Sequence, residues 1–453
     1  MKEFDIIVIG AGAGTKLVTP PSLLGKKVAV FEKESPGGTC LNRGCIPSKM
    51  LIYPSEIVRL TKESAKFPLV FKEPVLADLL KITSRITETV QKDSDSIPLA
   101  YHKNPNVEYV PYQARFESNR VVIANGERYT APIVVIAVGT RPSIPKGIGL
   151  EGTPFWTSRE ALRPSFRPKK MTVVGGGYIG LELGAAYSAF GTEVELFTRH
   201  EILRQMDSEV VAELRKCPPL SLNENHELQS VQYSEGEFKI QWKGIKKETA
   251  CDSLLVATGI IPNTDDLGCE NTKIRVDDRG YIQVDEYLET DEPGIFAFGD
   301  CIGNYFFRHS ANFEGEFLFE NLFKKNHKDK IQYPPMPSAV FTMPQIASVG
   351  LREEDIKVPY WKGVNRYSSS AMGMARMSEV GFVKILASKD TQEILGVHII
   401  GEEASNLIQL FVLGMTHKLK LDEYLKMIFI HPALPEVSRN ALRKIREIRD
   451  KNE

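Results

Sequence analysis

Short apolar runs recur along the chain, and the early ones each end in a glycine or an acid. Phe4 to Ile9, apolar but for Asp5, reads as a buried parallel strand, because it is nearly continuous rather than alternating. Val28 to Phe31, Ile133 to Val138, Met171 to Val174, Glu193 to Phe197 and Leu254 to Gly259 read the same way. Between them the pattern predicts helices from Pro47 to about Leu60, from about Pro74 to His102, and from Leu181 to Phe190. Asn125-Gly126 between two β-prone runs is a hairpin signal. From about Pro334 the character changes. Strands Ser338 to Thr342, Gly381 to Ala387 and Ile394 to Ile400 alternate with amphipathic helices Glu403 to His417 and Leu421 to Ile428, which predicts an α+β unit. The charged tail, Leu442 to Glu453, predicts a frayed helix.

The glycines give the first strand a chemistry. Phe4 to Ile9 feeds Gly10, Gly12 and Gly14, which let backbone N–H groups approach a pyrophosphate at a helix N-terminus. Glu32 lies twenty residues past Gly12, where a ribose-binding carboxylate belongs. The third glycine of that fingerprint is replaced by Thr15, and Pro20-Pro21 predict an interrupted helix, since each removes a helical N–H. A second motif is complete: Gly175, Gly177 and Gly180 follow one strand and open a helix that leads to the next. Two such units imply two nucleotides, one per domain, and exclude a simple dehydrogenase.

The 453 residues allow two or three domains, each with its own core. Net charge is −1 with both signs interspersed, so nothing argues for nucleic acid. No apolar run is long enough to span a bilayer. Met1 to Asp5 leads straight into a strand, leaving no room for a signal peptide, and six cysteines in a chain this long fit a reducing compartment. The expectation is a cytoplasmic protein.

Cys40 and Cys45 stand in the Gly-rich stretch Gly37 to Lys49, just before the first long helix. Bridging them requires a backbone bend that the glycines permit. Pro47 suits a first helical turn. Cys45 near the helix N-terminus, with Lys49 one turn on, favours a thiolate there. The competing readings are a zinc half-site, a structural bridge or a chance pair. Cys217, Cys251, Cys269 and Cys301 are scattered singly, which argues against zinc, and redox chemistry fits better. No metal is expected.

The block Gly-Gly-Thr-Cys-Leu-Asn-x-Gly-Cys-Ile-Pro-Ser-Lys resembles the redox signature of the flavoprotein disulfide reductases, and the resemblance extends in family order over nearly the whole chain. It implies an α/β fold with two Rossmann-like domains, for FAD and NAD(P), plus a C-terminal α+β dimerisation domain. The implied division is 1–147 (FAD), 148–264 (NAD(P)), 265–333 (FAD and central) and 334–453 (dimerisation). It implies a Cys40–Cys45 disulfide at rest, with Cys45 on the flavin side and Cys40 exchanging with substrate. Lys49 would pair with Glu182 beside the flavin, and Tyr178 would shield the flavin face. Ala114 and Gly139 would lie along the FAD, with Asp300 on its ribityl chain and Ala311 in a helix opening toward the flavin. Gly259 would close the nicotinamide domain. His431, a residue type more often structural when alone, would be a base oriented by Glu436 and presented to Cys40 by the other subunit of a homodimer.

The nicotinamide signals conflict. Arg199, where NAD-linked members carry an acid, suits a 2′-phosphate. A second arginine is expected six residues on, but Gln205 stands there and Arg204 is one short, while Gly180 is more typical of NAD-linked members. NADP(H) is favoured over NAD(H). The segments around Lys49, Ala114 and His431 resemble mycothione reductase, so an NADPH-linked reductase of a small disulfide is expected ahead of an NAD-linked dihydrolipoyl dehydrogenase. Thr15 and Pro20-Pro21 keep open a third reading, a flavoprotein without catalysis.

Overall fold

The structure, a computed structural model, describes residues 1–246 and 248–452. The first sheet is wholly parallel, in the order Ile295–Ala297, Ile133–Ile136, Ile6–Ile9, Val28–Phe31, Val107–Val110. Its central strands are apolar throughout because they are buried along their whole length. The second parallel sheet runs Ser221–Glu224, Glu193–Thr198, Lys170–Val174, Ser253–Val256. The chain crosses between these units on two short antiparallel strands, Thr140–Pro142 and Ile260–Pro262. Arg141, on the first of them, ties the two crossings together, bonding the Pro262 carbonyl at 2.9 Å and Asp265 at 2.7 Å.

The C-terminal sheet is antiparallel, in the order Ser338–Val340, Gln345–Gly350, Ile394–Gly401, Phe382–Ser388, Tyr360–Arg366. The second and last of these strands were not foreseen. The nucleotide unit of Lys170–Val174 docks on this sheet through a buried ion pair. Lys384 Nζ lies 2.9 Å from Asp207 Oδ2, and both side chains are fully buried. Arg366 reaches Glu213 at 2.8 Å beside it.

Several expected elements shift. The helix expected from Pro74 starts at Leu79, where Asp78 caps it by accepting from the Lys81 N–H at 3.1 Å. The helix expected from Pro47 is Cys45–Glu63, with Pro47 in its first turn. That expected from Leu181 is Tyr178–Ala189. Asp300 lies in the 3₁₀ turn Gly299–Ile302 after the strand Ile295–Ala297. The tail is not frayed where the sequence suggested. The helix Pro435–Asn452 buries Ala441, Leu442 and Ile445 against Tyr360–Arg366, because those apolar residues recur at helical spacing among the charges. The break expected at Pro20 is present: a 3₁₀ turn, Ala13–Leu17, stops at Val18, and both prolines occupy the first turn of a new helix, Thr19–Leu23.

Candidate active site

The glycine turns stand at the C-terminal ends of the two central strands. Gly10 has φ +106° and its missing Cβ would collide with the Ala137 carbonyl; Gly175, at φ +123°, meets the Ala257 carbonyl in the same way. Thr15 does not spoil the first turn, since Gly14 takes over the close packing. A Cβ on Gly14 would lie 2.9 Å from Val8 Cγ1. Thr15 Oγ1 donates to the Gly12 carbonyl at 3.0 Å. In the second unit Gly180 packs so tightly against the Gly175 backbone that no side chain fits. Gly139, Gly177 and Gly259 differ: a Cβ at each would meet no atom within 4 Å. They border open space.

Glu32 ends its strand as expected. Its carboxylate accepts from the Ala11 N–H at 2.9 Å and the Glu34 N–H at 3.0 Å, and burial pushes its pKa up despite those bonds. Asp300 accepts from Thr140 Oγ1 at 3.0 Å; burial raises its pKa against the pull of Arg308. Ala114 is buried beside the first sheet. Ala311 lies in the first turn of the helix Arg308–Phe323, touching the position a Gly299 side chain would take.

Cys40 lies in a short helix, Gly38–Arg43, and Cys45 opens the long one after it. The pair are free thiols, so the disulfide expected at rest is not formed in this structure. The loop is stapled from inside by Asn42, whose buried amide donates to the carbonyls of Ser35, Pro36 and Gly38. The two thiols are coupled through one hydrogen bond. Cys40 has its pKa lowered to about 7 because the Cys45 thiol donates to it, with help from Arg308 and the N–H groups of Cys45 and Ile46. Cys45 is pushed up, chiefly because it is the donor in that bond. Backbone N–H groups at the helix N-terminus pull both sulfurs toward the thiolate, and Lys49 does the same for Cys45.

Lys49 and Glu182 meet at 2.7 Å. Two groups that the sequence reading missed complete the contact: the Phe341 N–H donates to Glu182 at 2.9 Å, and Lys49 Nζ lies 4.0 Å from the Phe341 ring centre. No sequence pattern marked Phe341, which comes from the C-terminal unit. Tyr178 heads its helix and stacks on Phe307, ring centres 6.1 Å apart. Its hydroxyl lies near the side chains of Gln205 and Ser338. Arg199 is exposed past the strand Glu193–Thr198, and its guanidinium donates to His200 at 3.1 Å.

His431 is exposed on the C-terminal domain, with Nδ1 3.0 Å from both oxygens of Glu436. Burial works against ionisation of Glu436, but hydrogen bonds from His431 and the Ala433 N–H and the charge of Arg439 outweigh it and keep its pKa low. No contact joins His431 to Cys40 of the same chain among the described residues.

Comparison with known proteins decides the family. Residues 4–315 match the model of the pyridine nucleotide-disulphide oxidoreductases, and residues 336–442 match their dimerisation domain. The chain belongs to the pyridine nucleotide-disulphide oxidoreductase family. It is 35% identical over 449 residues to a dihydrolipoyl dehydrogenase of Thermus scotoductus, covering 96% of each chain. It is 32% identical to the mycothione reductase of Mycobacterium tuberculosis, covering 98% of this chain and 100% of that one. The HOCl-induced flavoprotein disulfide reductase RclA of Escherichia coli shares the fold, with a TM-score of 0.87 at 23% identity over 97% of this chain and 99% of that one.

Pyridine nucleotide-disulphide oxidoreductases of this kind are flavoprotein enzymes that use FAD with NAD(P)H. The residues present fit both groups. Glycine backbones line open space at the ends of both parallel sheets, a carboxylate closes the first turn, and the Cys40–Cys45 block lies against that turn, a Cβ on Gly38 falling 2.6 Å from Gly12 Cα. Among the described residues no helix is long and apolar enough to cross a membrane, and no three His, Cys, Asp or Glu side chains form a metal site.

Proposed function

We propose that the protein is an NADPH-linked reductase of a low-molecular-weight disulfide, of mycothione-reductase type. The observation that carries the nucleotide choice is Arg199. It stands exposed past the second strand of the Lys170–Val174 unit, where the 2′ substituent of the adenosine ribose belongs, and position 199 thus carries no acid to hold a free 2′-OH. A guanidinium meets a 2′-phosphate with charge-assisted, bidentate bonds. Gln205, at the place of a second arginine, is uncharged, which leaves Arg199 the principal cation with exposed Arg204 beside it.

When bound, the flavin supplies two-electron exchange between the nicotinamide and the cysteine pair. Gly10, Gly12, Gly14, Glu32, Ala114, Gly139, Asp300 and Ala311 would hold it, and Gly175, Gly177, Tyr178, Gly180, Arg199 and Gly259 the nicotinamide nucleotide. Cys45, with Lys49 near, is the flavin-side sulfur, and the Lys49–Glu182 pair fixes a positive charge beside the ring. Cys40 attacks the substrate disulfide. His431 carries the proton to the departing thiol, held in one orientation by Glu436, and reaches Cys40 from the partner subunit of a homodimer. The exposed ring of His431, bonded to Glu436 but to nothing near its own Cys40, supports that shared site.

A second reading, an NAD-linked dihydrolipoyl dehydrogenase, is favoured by Gly180, whose packing admits no alanine, and by the 35% identity to that enzyme of Thermus scotoductus. Steady-state rates with NADPH and NADH against several small disulfides separate the two. Preference for NADPH by about one to two powers of ten in kcat/KM is expected. Rapid reduction of NAD by dihydrolipoamide, with NADH preferred in reverse, would establish the second reading instead.

A further inference from the structure

The helix Arg308–Phe323 buries a carboxylate that the disulfide chemistry does not use. Glu314 is 1% exposed and makes no ion pair among the described residues. A carboxylate so placed is costly unless donors meet its oxygens, and two do. The Gly299 N–H donates to Oε2 at 2.6 Å, and the Tyr333 hydroxyl donates to Oε1 at 2.7 Å.

Both contacts are fixed by packing. Gly299, at φ +77°, opens the 3₁₀ turn that carries Asp300. The helix comes close to that turn because Gly315, next to Glu314, lacks a side chain: a Cβ there would lie 3.1 Å from Phe298 Cε2 and 2.9 Å from Lys16 Cβ. Tyr333 is held against Tyr305 and Phe313, ring centres 5.2 and 5.8 Å away, and its hydroxyl accepts from the Asn304 amide at 3.3 Å. Asp300 is held from the other side. Thr140 Oγ1 donates to its Oδ2, which leaves Oδ1 without a protein donor among the described residues. Thr140 fixes one oxygen of Asp300, and Glu314 grips the backbone one residue ahead of it.

We propose that Glu314 is a positioning residue for the flavin: by holding the Gly299 N–H it sets the turn from which Asp300 presents its free Oδ1 to the ribityl chain. This rests on the reading of Asp300 as the ribityl ligand. The chemistry of the contact says which substitutions preserve it. Glutamine at 314 can still accept from the Gly299 N–H through its carbonyl oxygen, while its amide donates to the Tyr333 oxygen. Alanine does neither, and leaves the Gly299 N–H buried without a partner, so the turn is free to shift toward another acceptor.

The experiment measures how fast FAD leaves purified full-length holoenzyme, by ultrafiltration over time. It compares Glu314→Ala, Glu314→Gln, Asp300→Ala and the double variant of Asp300→Ala with Glu314→Ala. Glu314→Ala should speed release about tenfold or more, and Glu314→Gln should stay within about threefold of the wild type. In the Asp300→Ala background, Glu314→Ala should add less than about twofold, because a residue that acts through another gives coupled rather than additive losses. Should Glu314→Ala yield no folded holoenzyme, Tyr333→Phe takes its place. It releases the other oxygen of the carboxylate, and should speed release about threefold in the wild type and hardly at all beside Asp300→Ala. The same factor in both backgrounds, a wild-type rate in Glu314→Ala, or a loss that glutamine does not repair overturns the proposal. A wild-type rate in Asp300→Ala alone overturns the reading of Asp300, and the proposal with it, without Glu314 having been touched.

Discussion

The two nucleotide turns solve one problem with different supports. Each central strand ends in a glycine at positive φ pressed on a carbonyl of the neighbouring strand's continuation, Gly10 on Ala137 and Gly175 on Ala257. Beyond that point they diverge. The second turn runs into an unbroken helix, Tyr178–Ala189, packed close by Gly180. The first runs into one 3₁₀ turn and a five-residue helix headed by prolines, and is braced from outside by the helix Arg308–Phe323. A nucleotide turn therefore needs its glycine and its parallel strands. The helix behind it can be replaced by a neighbour that packs equally close.

The largest effects should come from breaking the shared feature. Gly10→Ala should give protein that purifies without flavin, and Gly175→Ala protein that keeps flavin but is no longer reduced by nicotinamide, because each new Cβ strikes a backbone carbonyl at a φ that alanine resists. Flavin absorbance per chain and the rate of flavin bleaching by NADPH check both. Loss of flavin from Gly175→Ala would show that the units are not independent.

Next in size is the anchor of the second unit. Lys384→Ala leaves the buried Asp207 without its partner and should cost about 3–5 kcal/mol, read as a lowered denaturation midpoint. If the variant melts like the wild type, the pair does not hold that unit to the C-terminal sheet.

The nucleotide preference tests what the second turn recognises. Arg199→Ala should lower kcat/KM for NADPH by about ten- to a hundredfold and leave NADH nearly unchanged. Equal losses with both nucleotides would place Arg199 away from the 2′ position.

The cysteines against the first turn set a pH limit. Cys40 has its pKa lowered to about 7, so its thiolate predominates above that pH and is lost as pH falls through it. Alkylation of Cys40 in the reduced enzyme should therefore drop about tenfold per pH unit below the midpoint. A midpoint near that of an ordinary thiol would remove the assignment.

The smallest effect is expected from restoring the glycine that the first turn lacks. Thr15→Gly should change stability by less than about 1 kcal/mol, since Gly14 already makes the close contact and only the Thr15 bond to Gly12 is lost. A large gain in flavin affinity would mean that Thr15 does limit the turn.

The parallel strands, both glycine turns, the hairpin at Asn125-Gly126 and the Lys49, Glu182, His431 and Glu436 positions were legible in the order of residues. The strands, the turns, the hairpin and the His431–Glu436 spacing depend on local chemistry, whereas the pairing of Lys49 with Glu182 was implied by the family resemblance. What the order of residues could not reveal depends on approach between distant segments. The helix N-terminus after Cys40 was legible, but how its N–H groups are shared between the two sulfurs depends on how Gly38–Arg43 folds back over Cys45 and Ile46. Phe341 beside Lys49 and Lys384 buried against Asp207 each join residues more than a hundred positions apart. Burial and the electrostatic field are sums over whatever packs around a group, so only the tertiary structure decided them.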